Sequence, residues 1–270
     1  MEKETIIHRQ GVSFLSYRNL TDKSILHGFS LRHGGQSRTP YDTLNLGLHV
    51  ADNQCAVLEN RRRFAEAIGY APEAVVTGQQ VHGHRVTVVT ARTKGRGHLQ
   101  AADAIPGTDG LVTVEPEIVL MAHSADCTVL FFYDPVHVCI GLAHAGWRGA
   151  VAGMGPAMID AMAVQGCLRE NIRVALSPTI GPCCYRVGVE LTECVPHKYQ
   201  QTLNRRKDGE IFFNLPELQQ LSLLDAGVSK ANIITSRYCT HCHTDLFFSH
   251  RAAGGVTGRM AGVISLQKQE

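Results

Sequence analysis

Three side chains that suit a transition metal lie far apart in this chain: His82 in TGQQVHGH, Cys127 in SADCT and His144 in LAHAGW. One thiolate and two imidazoles are the donors a zinc or copper centre takes, and three protein ligands leave a fourth position open for water or substrate. Long gaps separate them, unlike the close ligand pairs of zinc fingers, so the pattern points to a catalytic ion. Each stands where an apolar run gives way to small residues, which lets ligand and substrate approach the backbone closely. As isolated residues they read equally well as an inert buried thiol and two hydrogen-bonded core histidines. His84 and His123 sit at period-two spacing from His82 and Cys127 and compete as ligands. Asp126, beside Cys127, is a candidate to orient one of the histidines.

A second constellation consists of Cys183-Cys184 and the motif Cys239-Thr-His-Cys242. Four thiols are enough for a structural zinc, and C-x-x-C alone can be redox-active. Adjacent cysteines make awkward partners in one tetrahedron, so packing or a substrate wall is the expected role. Arg32 with the Gly34-Gly35 turn, Asn45, Arg61 and Arg251 are candidates to bind an anion, because guanidinium grips phosphate bidentately and glycine turns present N–H groups. Trp147, the single tryptophan, follows His144 closely and either packs in the core or stacks on a planar ligand.

Positioning these residues takes a sizeable core. The 270 residues are 44% hydrophobic and 19% charged, which suits one domain spanning residues 1–270. The formal net charge of +2 and the absence of a basic stripe argue against a nucleic-acid partner. The triplet Arg61-Arg62-Arg63 reads as one turn of a solvated helix. Nine cysteines without regular spacing suit reduced thiols in a cytoplasmic protein. Neither a signal peptide nor an apolar stretch of membrane-spanning length is expected, and no heptad pattern signals assembly, so a monomer is expected.

Strand patterns fall at 24–33, 74–78, 84–90, 117–125, 128–133, 137–144, 172–176, 211–213, 232–236, 246–249 and 260–266. A helix is expected from Cys55 to Ile68, capped by Asp52 or Asn53, buried through Val57, Leu58, Phe64, Ala65 and Ile68, and stopped by Gly69. Further helices are expected over 148–164, kinked or restarted at Pro156, over 189–199 and over 216–225. Residues 92–109 have loop composition and are long enough for a lid or site wall; 203–210 reads as a polar surface loop. This irregular alternation predicts a mixed α/β class, and the lack of a GxGxxG or Walker motif after a strand argues against dinucleotide and P-loop chemistry.

Taken in order, RHGGQS, LNLGLHV, NRRR, QQVHG, PGTDGLVT, SADC, LAHAGWRG, IGPCCY, CTHC, FFSHR and TGRMAGVI resemble the bacterial purine nucleoside phosphorylase family, first labelled multicopper polyphenol oxidase or laccase-domain and in some members peptidoglycan editing factor. The resemblance runs from about residue 27 to 265. It implies a layered α/β/β/α sandwich with mixed sheets and a metal, usually zinc and in some reports copper, held by His82, Cys127 and His144. The implied activities are phosphorolysis of adenosine, inosine and methylthioadenosine and deamination of adenosine. Arg61, Asn45 and Arg251 would contact phosphate or ribose, and Ala252 stands where relatives often have a second arginine. The alternatives are a copper-dependent polyphenol oxidase and a hydrolase editing a cell-wall precursor with Cys127 as nucleophile.

Overall fold

The run TVLFFYD forms a strand, Thr128–Asp134, that is buried along its whole length. Its side chains alternate between two cores: Val129, Phe131 and Tyr133 enter one, Leu130 and Phe132 the other. A strand apolar on both faces must be covered on both, which dictates layers. The computed structural model describes residues 3–268. Its strands in chain order are β1 (Glu4–Arg9), β2 (Val12–Tyr17), β3 (Ile25–Ser30), β4 (Val75–Thr77), β5 (Val86–Val88), β6 (Gly110–Thr113), β7 (Val119–Ser124), β8 (Thr128–Asp134), β9 (Cys139–Ala145), β10 (Arg173–Leu176), β11 (Arg186–Val187), β12 (Leu203–Arg205), β13 (Ile211–Phe213), β14 (Ile233–Thr235) and β15 (Met260–Leu266). The α-helices are α1 (Gln54–Ile68), α2 (Trp147–Val151), α3 (Met154–Val164), α4 (Val189–Cys194) and α5 (Leu215–Asp225).

Two six-stranded sheets face each other, ordered β1-β2-β3-β15-β7-β4 and β14-β10-β8-β9-β6-β5. Both are mixed: β4 pairs with β7, β5 with β6 and β10 with β14 in parallel, and the remaining pairings are antiparallel. Leu15, Phe29, Leu120 and Ile264 of the first sheet meet Val129, Phe131, Ile140 and Leu142 of the second. Helix α1 covers the outer face of the first sheet with Phe64, Ala67 and Ile68, and α3 covers that of the second with Met154, Met158 and Met162. The expected α/β/β/α layering follows.

Local signals set many of the boundaries. The Asn53 side chain accepts the Ala56 N–H to start α1, and Gly69, at φ 101°, ends it. The expected helix over 148–164 breaks at Gly153 (φ 91°) into α2 and α3, with Pro156 in the first turn of the second piece. The buried side of α1 differs from expectation: Leu58 is half-exposed, whereas Asn60 and Arg61 are buried. Of the arginine triplet only Arg62 and Arg63 face outward, paired with Glu59 and, for Arg62, also Glu66. The expected helix over 189–199 shortens to α4, followed by a 3-10 turn over His197–Thr202.

The expected strand at 246–249 is replaced by turns in which Phe247 N–H bonds the His243 carbonyl, although Phe247 and Phe248 are fully buried. The polar loop at 203–210 begins as β12, which pairs with β13, itself paired on its other side with β11, in a small third sheet. Two further elements were not expected. Strands β1 and β2 form a hairpin about Gln10-Gly11, both at positive φ as a tight two-residue turn requires. Strand β6 emerges directly from the 92–109 loop. Among the described residues, no helix is long and apolar enough to cross a membrane.

The two sheets approach closely at Gly262, where an added Cβ would lie 2.7 Å from the Phe131 ring and 2.8 Å from Val129. Gly262→Ala should overpack this contact and lower stability by about 1–3 kcal/mol. Urea unfolding checks this through a lower midpoint at unchanged slope.

Candidate functional site

Cys127 lies in the bend between β7 and β8, where the chain leaves the first sheet for the second. His144 is near the end of β9, directly opposite Val129 on β8. His82 precedes β5, in a left-handed conformation (φ 62°) uncommon outside glycine. The fold thus brings the three to one point: one ligand atom from each lies within 4.8 Å of the others. The two imidazoles meet edge to face with centroids 4.9 Å apart.

One residue without a sequence signal organises this trio. Asp109, at the end of the 92–109 loop, accepts the N–H groups of Val81 (3.0 Å), His82 (3.1 Å) and Gly83 (3.0 Å) and a bond from His144 Nδ1 (2.9 Å). The carboxylate therefore holds the strained turn at His82 and keeps the proton on Nδ1 of His144, leaving Nε2 to face the other ligands. Burial opposes its ionisation, but the bonds from His144, Val81 and Gly83 hold its carboxyl below the ordinary range. Asp126, a candidate to orient a histidine, serves instead as a carboxylate that fixes a turn at a strand end. At φ 86° its carboxylate accepts the Thr240 hydroxyl (2.5 Å) and the Arg251 N–H (2.7 Å), and its carbonyl accepts the Thr179 hydroxyl (2.5 Å). It fixes the bend that carries Cys127.

The electrostatics suit a metal. Burial resists a thiolate at Cys127, yet the charge and hydrogen bonds of His144, with a bond from His82, bring its thiol down to about 6. Burial likewise resists an imidazolium at His144, but Cys127 and Asp109 raise it to about 9. This pocket stabilises a positive charge beside the thiolate, the place a divalent cation would take. Gly146 keeps the space clear, since a Cβ there would lie 2.8 Å from Cys127 Sγ and 3.1 Å from His82 Cδ2. Donor set, outer carboxylate and clearance all fit the expected metal.

Cys127 opens onto a cavity of about 130 Å³ walled by Trp147, Tyr185, Ile180, Leu215, His250 and Arg251. The Arg251 guanidinium sits 5.3 Å above the Tyr185 ring and bonds the Arg186 carbonyl. A second cavity, about 280 Å³, is lined by Arg61, His49, His123 and Gln80. Its lining includes Gln80, two residues before His82 in the chain. Arg61 spends four of its five N–H donors on the carbonyls of Leu46, Gly97 and His98 and on His123 Nε2. No carboxylate pairs with it among the described residues, so its charge stays uncompensated inside the fold. Burial, aided by the charges of Arg259 and Arg61, drops His49 to about 4, and burial with the Arg61 charge keeps His123 neutral.

The other candidates are placed away from the trio. His123 bonds Arg61, and His84 is exposed. Arg32 is engaged by the Asp42 carbonyl and carboxylate and the Thr244 carbonyl. Asn45 is buried, donating to Asp52 and accepting the N–H groups of Gly47 and Arg259.

This layered sandwich with a three-ligand site at the junction of its sheets defines a recognised class of protein. Residues 26–267 match the family described as multi-copper polyphenol oxidoreductase laccase. The chain is 39% identical over 247 residues to purine nucleoside phosphorylase YlmD of Geobacillus stearothermophilus, covering 90% of each. The crystal structure of YlmD from that organism superposes with a TM-score of 0.93 over 99% of this chain and 100% of the other, at 35% identity. Adenosine deaminase RL5, from an unknown prokaryotic organism, is 30% identical over 87% of this chain and 91% of its own length. The chain belongs to this laccase-like family, whose members include purine nucleoside phosphorylases.

Asp109→Asn should preserve the fold while turning an amide towards donors that need an acceptor. Metal affinity, measured by chelator competition, should fall about 10–100-fold.

Proposed function

We propose that this protein is a metal-dependent purine nucleoside phosphorylase that cleaves adenosine, inosine and methylthioadenosine, with deamination of adenosine as a second activity. The observation that carries this is the convergence of His82, Cys127 and His144 beside an aromatic-walled cavity, in a chain so similar to a named purine nucleoside phosphorylase. Zinc fits the donor set, with copper as the second choice. Such an ion, when bound, supplies Lewis acidity to the reacting group.

The residues divide the remaining work. Trp147 and Tyr185 offer flat apolar surfaces for a purine, and Arg251 at their rim is placed to meet ribose or phosphate. Arg61, cationic and unpaired by any carboxylate among the described residues, makes the neighbouring cavity attractive to phosphate. In phosphorolysis a phosphate oxygen bonds the anomeric carbon as the glycosidic bond breaks and its electron pair leaves with the base. The developing positive charge on the sugar then lies against an anion that the arginines have positioned. In deamination, water adds to the amino-bearing purine carbon and ammonia departs. His144 can hold a single orientation throughout, because Asp109 fixes its Nδ1 proton.

Phenol oxidation by a multicopper mechanism calls for more histidine ligands than this trio offers.

Incubation with adenosine and phosphate, followed by chromatography, should yield adenine and ribose 1-phosphate together with inosine and hypoxanthine. Absence of all of these from metal-loaded protein refutes the proposal. Cys127→Ser should lower turnover by more than about 100-fold, beyond the usual loss from removing an outer partner. Arg251→Ala should chiefly raise the KM for phosphate or nucleoside.

A further inference from the structure

Four of the eight cysteines outside the site, expected to serve in packing or as a substrate wall, converge. Cys183 Sγ lies 3.6 Å and Cys184 Sγ 3.4 Å from Cys242 Sγ, and the four sulfurs, including that of Cys239, all fall within 4.8 Å of one another. Adjacency is no obstacle, because the chain turns tightly there. The Gly181 carbonyl accepts the N–H groups of both Cys184 (3.0 Å) and Tyr185 (2.9 Å), which brings both thiols to Cys242. Gly181 also donates its N–H to Cys239 Sγ (3.2 Å), and a Cβ on it would press within 3.3 Å of Cys183 Sγ and Cys239 Cβ.

These separations suit a metal better than a disulfide. Sulfurs about 2.3 Å from a tetrahedral ion lie roughly 3.8 Å apart, whereas a disulfide needs about 2.05 Å. All four are free thiols. Burial disfavours a thiolate at Cys239, but N–H bonds from Gly181, Cys242 and His241 bring its thiol below the ordinary range. Burial and the neighbouring sulfurs push Cys183 up to about 11 and raise Cys184 as well.

We propose that Cys183, Cys184, Cys239 and Cys242 form a second metal site, a closed four-thiolate site that takes zinc and acts structurally. Each thiol releases its proton to solvent as its sulfur bonds the ion, and no electron moves. Such an ion staples the 180–185 turn to the 239–242 turn. Both turns reach the first site: Thr179 and Thr240 hold Asp126 beside Cys127, and Tyr185 walls the Cys127 cavity. The ion would therefore brace that bend from behind.

The test separates this site from the first by removing the first. The variant H82A/C127S/H144A, purified with added zinc and desalted, should retain about one zinc per chain by elemental mass spectrometry. Adding C239S/C242S should reduce zinc to background. A variant with native-like circular dichroism that retains no zinc overturns the proposal. So does an intact mass showing disulfides among these cysteines in freshly purified protein. Should the variants fail to fold, cobalt titration of the unmodified protein decides. Two equivalents, one giving the strong charge-transfer absorption of several thiolates, support the site; saturation at one equivalent with the absorption of a single thiolate overturns it.

Discussion

The bonds accepted by the Asp109 carboxylate are the constraint on which the site rests. Desolvating a carboxylate costs several kcal/mol, and only a full set of donors offsets that. Here three successive N–H groups and one imidazole supply them. The same group therefore does two jobs. It holds His82 in a conformation that side chains avoid, and it sets the orientation and tautomer of His144. Both imidazoles are placed by a residue that need not touch the ion itself.

The position of Cys127 depends on the sandwich. Cys127 occupies the bend by which the chain crosses from one sheet to the other, so its position relative to the histidines is as firm as the packing between the sheets. Asp126 takes a left-handed conformation to make the bend, and bonds from Thr179, Thr240 and Arg251 anchor it. Strain at the site is thus balanced by hydrogen bonds from three distant segments, which is how functional sites retain unusual backbone geometry.

Much of this was legible in the chain. The limits of α1 were written in a capping asparagine and a terminal glycine, and those of β13 and β15 in short apolar runs. His82, Cys127 and His144 read on pattern alone equally well as ligands and as inert core residues, and it was the ordered motifs of the family resemblance that pointed to them as ligands. What escaped notice had a common cause, namely that tertiary contact leaves no local trace. Asp109 sits in PGTDG, where a carboxylate reads as an ordinary turn residue. Arg61 was singled out for its charge but expected in one turn of a solvated helix, and its burial and carbonyl partners left no local trace. The β1–β2 hairpin lacks a strong turn signal, because Gln10 seldom adopts positive φ. Phe247 and Phe248 read as a strand since they are deeply buried, yet burial alone does not distinguish a strand from a tight turn.

The long segment 92–109 also bears on the cavity beside Arg61. Backbone bonds tie Gly95 to Val75, Thr77 to Arg96 and Ile105 to Thr77. The Arg61 side chain grips Gly97 and His98 at mid-length, and Asp109 anchors the far end. A segment fastened at so many places is a built wall of the molecule and not a loose connection. Gly97, Ala101, Ala102 and Ala104 of this segment line the cavity beside Arg61, so its fastenings also fix the shape of that wall.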